Sequence, residues 1–290
     1  MILLTADEML EFGLELAGDK VSNSNKVNDR RFRALYGSAS VVCSVIWEAL
    51  QTTAILEARI EPRSRKDLKY FMVAMYFLKV YPTENVIHTA FKLDEKTIRT
   101  HSWFYAKKLR ALQDDKVEWD GNWSAFFGMS ADGVHFRCME EEHPVLSKNP
   151  QQCSYKFKSA GWNYVIGLSI LTSAIMWLSD QYPASVHDIT VFRNEALPNV
   201  PAGKMVVADN GFRGEPDTCA TPSSLDPDEL KEFKRRARSR QETFNARIKN
   251  FSVLSERFRH HSAEQHQICF VACCIIVQFQ MELGSPLFDV

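Results

Sequence analysis

Apolar and polar positions divide the chain into two stretches with different periods. From Met1 to Leu112 the apolar residues recur at helical spacing: Leu3, Met9, Leu10, Leu14 and Leu16 mark one amphipathic stretch, and Ala39 to Leu56 a second. Lys66 to Tyr81 reads as a buried helix. Pro82-Thr83 opens a short helix to about Phe91, and Asp94 caps a third, along which Ile98, Tyr105, Leu109 and Leu112 recur. Three helices with short links make a trihelical arrangement at about 67–112. Its last helix is expected to expose Lys96, Arg99, His101, Lys107, Lys108 and Arg110. Such a face suits a helix in a major groove or along phosphates, and it equally suits a plain bundle that docks on the rest of the chain.

From Trp119 onward the period shifts toward strands. Ala125 to Met139, Tyr164 to Ile170 and Ser173 to Leu178 read as an antiparallel meander, Asp188 starts a short helix, and Lys204 to Ala208 is a further strand. Asp228 to Arg259 reads as helix, and Ala263 to Leu283 as an apolar helix that packs on the domain or on another subunit. Strands followed by helices predict a layered α/β (α+β) domain. The expected division is a helical region at 1–116, containing a helix-turn-helix, and an α/β domain at 117–290.

Composition narrows the class. At 290 residues and 45% hydrophobic the chain can bury a sizeable core. No apolar run reaches the roughly 18 to 20 residues that span a bilayer, and Asp7, Glu8 and Glu11 interrupt any secretory pattern. Seven cysteines, an odd number with no C-x-x-C pair, point to a reducing compartment and to buried thiols. His260, His261, His266 and Cys269 match no tetrahedral zinc spacing and read as ordinary surface and core residues. The net charge of −1 argues against nucleic acid, but the distribution is uneven. Lys234, Arg235, Arg236, Arg238, Arg240, Arg247 and Lys249 crowd one helical stretch, whereas acids gather at Glu140-Glu141-Glu142 and from Asp226 to Glu229. That stretch is either a phosphate-binding face, joined by Lys96, Arg99 and His101 of the trihelical region, or a solvated helix face.

Three acids carry the candidate chemistry. Asp132 follows the apolar run Ala125 to Ala131, Asp209 closes Met205 to Ala208, and Glu242 rides the basic helix. Hard divalent cations take oxygen ligands, and two of them about 3.5 to 4 Å apart stabilise both the attacking and the leaving oxygens of a phosphodiester displacement. Each acid also has an ordinary use, since Asp132-Gly133 and Asn210-Gly211 are turn dipeptides and a helical Glu beside arginines is usually solvated. A helical wheel sets Ala237, Phe244, Ile248 and Phe251 on one face, with Glu242, Asn245, Ala246 and Lys249 opposite. Glu242 therefore faces either water or a metal cleft.

The segments Val207 to Pro216 and Arg238 to Lys249 resemble the second and third catalytic blocks of DDE-type transposases, and more narrowly of the DDE superfamily endonucleases of the PIF/Harbinger group. Ser130-Ala131-Asp132-Gly133 resembles the first block. Ser185-Val186-His187-Asp188, with Val191-Phe192-Arg193, resembles the stretch between the first two acids. The likeness runs from about Phe71 to the end of the chain. It implies a ribonuclease H-like mixed sheet in which the first and fourth strands are neighbours, and a metal-dependent endonuclease that hydrolyses DNA at transposon ends. Asp132, Asp209 and Glu242 would be the catalytic, metal-binding acids for Mg²⁺ or Mn²⁺, two ions together. Asp188 is either a fourth ligand or the cap of the helix that it opens. The resemblance further implies DNA as partner and a nuclear location, and leaves room for strand transfer, a separate Myb-like DNA-binding protein and a homo-oligomer. The chain departs from the group at Ala131, where a β-branched residue is common, and at Ser159 to Trp162, which lacks the usual glycine and proline. Two rivals are a catalytically silent transposase-derived protein that binds DNA or other proteins, and a metal-dependent nuclease acting on RNA.

Overall fold

The computed structural model describes residues 3–52, 65–119, 123–140 and 149–290, without the side chain of Arg65. Residues 53–56 of the expected second helical stretch lie outside that range, as do Glu141 and Glu142. The chain forms two compact units: Met1–Gln113 with Asn250–Val253 and Ile268–Ser285, and Asp114–Lys249 with Leu254–Gln267 and Pro286–Val290.

In the first unit α1 (Ala6–Leu16) begins with a capping box, in which Glu8 N donates to Thr5 Oγ1 and Thr5 N to Glu8 Oε2. Helix α2 (Asn25–Tyr36) ends at Gly37, whose φ of 77° places it in the left-handed region that closes helices. Helices α3 (Ser40–Thr52), α4 (Arg65–Val80), α5 (Glu84–Phe91) and α6 (Glu95–Ala111) follow. Trp47 of α3, Phe71 of α4 and Tyr105 of α6 pack together with ring centroids 5.7 to 6.4 Å apart. Helices α4, α5 and α6 are the expected trihelical arrangement, and Asp94 caps α6 by accepting from Thr97 N at 2.9 Å. Its basic face is smaller than expected. Lys108 shares a stripe with Tyr105, Leu109 and Leu112, so it is buried and its Nζ donates to Leu50 O at 3.0 Å. His101 is half-buried and stacks on Tyr70 at 3.7 Å, and Arg99 is gripped at both ends of its fork by Glu84. Lys96 and Lys107 stay exposed.

After α7 (Gln113–Lys116) the second unit builds a seven-stranded mixed sheet: β1 (Phe127–Arg137), β2 (Cys153–Ser154), β3 (Ser159–Ser169), β4 (Ile175–Leu178), β5 (Tyr182–Pro183), β6 (Met205–Ala208) and β7 (Cys219–Ala220). The order is β2-β3-β1-β6-β7, with β4 and β5 also paired to β3. β1 is antiparallel to β3 and parallel to β6, so the first strand and the later Met205–Ala208 strand are neighbours as expected. Strands β2, β5 and β7 are two residues long, too short to carry a readable period. Side chains alternate across the sheet. Met129, Ala131, Val165, Val206 and Ala208 face α8 (Asp188–Glu195) and its Val191 and Phe192, whereas Val207 meets Ala237 of α9 (Asp228–Ile248) on the other side.

Helix α9 stops at Ile248 instead of continuing to Arg259. Phe251, Val253 and Leu254 are all buried, and a continuous helix would turn Val253 away from the face that Phe251 and Leu254 share, whereas here the chain turns into α10 (Ser252–Ser255). Helix α11 (Ala263–Glu282) is buried almost all round from Ile268 to Phe279. Among the described residues no helix is long and apolar enough to cross a membrane. The seven cysteines are free thiols, and all but Cys153 are buried.

His266, at the start of α11, has no solvent exposure and stacks on Tyr164, whose Oη lies 2.7 Å from its Nδ1. Burial pushes its pKa down to about 3. Below pH 6.5 the unfolded chain therefore takes up a proton that the folded chain refuses, and stability falls with pH until about 3. Against His266→Phe, which keeps the ring stack but does not titrate, wild type should lose about 1.4 kcal/mol of unfolding free energy per pH unit between pH 6 and 4. Urea melts at several pH values measure it, and parallel curves would refute it.

Candidate active site

Strand pairing sets two of the acids side by side. Ala131 is in register with Ala208 on the parallel pair β1/β6, so Asp132 and Asp209, each one residue further on, are neighbours. Asp132 lies inside β1, opposite Ile166 of β3, and not at a strand end or in a turn. Asp209 follows the end of β6, and its Oδ1 accepts from Gly211 N at 2.7 Å. A cavity of about 90 Å³ is lined by Ser130, Ala131, Asp132, Val207, Asp209, Arg238, Gln241 and Glu242. The structure thus brings Asp132, Asp209 and Glu242 to one place. Glu242 is exposed and opens on this cleft, so it faces water and the other two acids at once.

Helix α9 is held against the sheet by the two residues that precede Glu242. Arg240, with 2% of its surface exposed, donates through Nη1 to Ser169 O and Ile170 O, and through Nη2 to Thr172 O. Gln241 donates to Ile166 O at 2.7 Å and accepts from Ser130 Oγ at 3.0 Å. A DNA-contacting role for Arg240 is thereby corrected: its buried guanidinium is engaged by three backbone carbonyls and does not face solvent. Lys234 is likewise buried, between Thr221 O and Asp226 Oδ2. Arg235 is forked onto Glu232, Arg236 donates to Asp289 O, and Arg247 donates to Pro286 O. Of the basic run, Arg238, which is exposed and lines the acidic cavity, and Lys249 have no side-chain hydrogen bond or ion pair among the described residues. Lys249 is exposed near Asp132, its Nζ 6.0 Å from the Phe136 ring centre.

Asp188 does not line that cavity. Its carboxylate sits over Gly133, on the sheet face opposite Asp132, where a Cβ on Gly133 would run into Cγ and both oxygens. Asn163, fully buried, holds it there by donating to Asp188 Oδ1 at 2.8 Å and to Val186 O at 2.9 Å. Asp188 opens α8 just after the cap residue His187.

Like charges concentrate here, at the middle of the sheet. Burial, then the neighbouring Asp209 and Asp188, pushes the Asp132 carboxyl up to about 6, although Lys156 opposes the rise. Asp188 is raised chiefly by burial, against the pull of Asn163 and Lys156. Lys156, in the β2–β3 turn, was not singled out from sequence, and neither were Asn163, Gln241 and Asn245. Only Asn245 left a trace there, on the Glu242 side of the wheel. Its Nδ2 donates to Asp132 Oδ2 at 2.9 Å.

A mixed sheet with β1 at its centre, acids on two adjacent strands and a third acid on the covering helix defines a ribonuclease H-like domain of the DDE type. The family model of the DDE superfamily endonucleases matches residues 131–278, about half of the chain, and the chain belongs to that family. No curated protein and no solved structure matches it.

The space over Gly133 yields a test. Gly133→Ala should destabilise the fold by about 1 to 3 kcal/mol, the usual cost of forcing extra volume into a packed site. In an Asp188→Ala background that cost should nearly vanish, because the atoms in the way are gone. Denaturant melts of the four proteins give the coupling, and a coupling near zero would mean that something other than the Asp188 carboxylate fills the space.

Proposed function

We propose that the protein is a metal-dependent DNA endonuclease of the DDE type, with Asp132, Asp209 and Glu242 as its catalytic acids. One observation carries the reading: these three, drawn from two strands and a helix, line a single cavity together with an unpaired arginine. Family membership supports nuclease chemistry and a DNA substrate.

The donor set fits a hard divalent cation such as Mg²⁺ or Mn²⁺. Asp132 feels the charge of Asp209 and Asp188, and a buried amide oxygen, Asn245 Oδ1, has no hydrogen-bond partner. Among the described residues no three acidic, histidine or cysteine side chains lie close enough to share one ion as they stand. That arrangement suits an ion that keeps several waters and leans on one or two carboxylates, as Mg²⁺ does, better than a closed cage. Bound there, the cation would lower the pKa of a water and offset charge on the phosphodiester oxygens. Asp132 and Asp209 would hold it from the sheet side and Glu242 from α9. Arg238 would grip a phosphate beside the scissile one. Hydrolysis at transposon ends, with strand transfer as a further outcome, belongs to the same reading, as does sequence preference carried by Lys96 and Arg99 at the start of α6.

Asp209→Asn tests the chemistry. The change keeps the acceptor for Gly211 N but removes the charge, so Mg²⁺-dependent nicking of duplex DNA should fall at least a hundredfold while the melting temperature moves little. Retained nicking would remove Asp209 from the mechanism. Loss on RNA in place of DNA would favour the RNA nuclease, and wild type that binds DNA without cutting it would favour a silent binding protein.

The arginines separate in a salt titration. Arg238→Ala should lower the slope of log K against log salt by about 0.9, the value for one lost phosphate contact, with the fold intact. Arg240→Ala should leave that slope alone and cost several kcal/mol of stability, because it removes three hydrogen bonds and leaves the space of a buried side chain unfilled. The reverse pattern would place the DNA path elsewhere.

A further inference from the structure

The cation site proposed above rests on carboxylates, and α9 adds to them an amide with an unmet need. Asn245 lies three residues after Glu242 on α9, one turn along the same face. Its Nδ2 donates to Asp132 Oδ2, which settles the amide's orientation, since the flipped amide would set two oxygens against each other. Its Oδ1 is then left buried with no hydrogen-bond partner. An unmatched buried acceptor costs about 1 to 3 kcal/mol, a penalty that folds rarely carry without a reason. Arg238, Glu242, Asn245 and Lys249 fall at spacings of four, three and four residues, so one stripe of α9 presents a cation, an acid, an amide and a cation toward β1.

We propose that Asn245 is a positioning residue for the metal site: its N–H fixes the Asp132 carboxylate, and its Oδ1 is kept free as an acceptor for water that arrives with the cation. This rests on the metal-nuclease reading. The first part makes Asp132 present one oxygen to the cleft while the other stays tied to α9. The second gives the orphaned oxygen its partner only in the metal-loaded state. Residues that orient metal ligands typically contribute 10 to 100-fold in metal affinity. Asn245 thus couples helix and strand, so Glu242 and Asp132 hold their relation before any ion binds.

The experiment uses the whole chain and Mn²⁺ alone, followed by electron paramagnetic resonance, with Asn245→Leu, Asn245→Gln and Asp209→Asn beside wild type. Asn245→Leu keeps the volume but neither donates nor accepts. It should raise the Mn²⁺ Kd about 10 to 100-fold. The Mg²⁺ concentration for half-maximal nicking should rise by a similar factor, while kcat at saturating Mg²⁺ returns to near the wild-type value. Asn245→Gln, which carries the same groups on a longer stem, should fall between, and it serves as the second variant if Asn245→Leu does not fold. A folded variant that binds Mn²⁺ within twofold of wild type, whatever its melting temperature, would overturn the proposal, because a merely structural asparagine predicts that result. If Asp209→Asn weakens Mn²⁺ binding and the Asn245 variants do not, this inference fails alone. If wild type binds no Mn²⁺, both readings fall.

Discussion

The site depends on how α9 is fastened to the sheet. A helix packed only through apolar contacts can slide or rotate by a fraction of a turn at small cost, but one fixed by buried hydrogen bonds cannot, because any shift strands polar groups away from water. Arg240 and Gln241 supply such bonds, to Ser169, Ile170 and Thr172 on one side and to Ile166 and Ser130 on the other. Glu242 is the next residue, and with no hydrogen bond of its own among the described residues it depends on these two for its position. The arginine that looks most like part of a DNA-binding run is therefore the one that fixes the helix.

The sheet supplies the other half of the constraint. β1 is hydrogen-bonded on both edges, antiparallel to β3 and parallel to β6, so its register is set twice. Asp132 and Asp209 are brought together by that register and held there although burial first, and the Asp209 charge after it, raises the Asp132 carboxyl. Asp188 adds negative charge from the opposite face through the gap that Gly133 leaves. A sheet centre charged in this way favours a cation over any neutral ligand.

Much of this was legible in the sequence. The helical first region, the antiparallel strands and the strand before Asp209 follow from period and order, and the neighbouring of first and fourth strands from the resemblance. Glu242 could be placed opposite the apolar face of its helix, though not on the cleft. What stayed hidden depends on contacts that periodicity does not encode. Arg240 and Lys234 share their positive charge with Arg238, but only tertiary carbonyls and Asp226 tell them apart. Asp132-Gly133 looks like a turn because glycine's other use, making room for the side chain of Asp188, depends on a residue far along the chain. The two-residue strands carry no alternation, and the break after Ile248 is set by where Phe251, Val253 and Leu254 must be buried.

The parallel pairing of β1 with β6 also governs when the acids can meet. Parallel neighbours need a crossover, and here β3, β4, β5 and α8 all intervene, so this pair is the least local strand pairing in the sheet. Glu242 comes later still. A chain emerging from the ribosome therefore carries its first acid long before the second and third can reach it, and the proposed cutting site comes into being only after nearly the whole second unit has been synthesised.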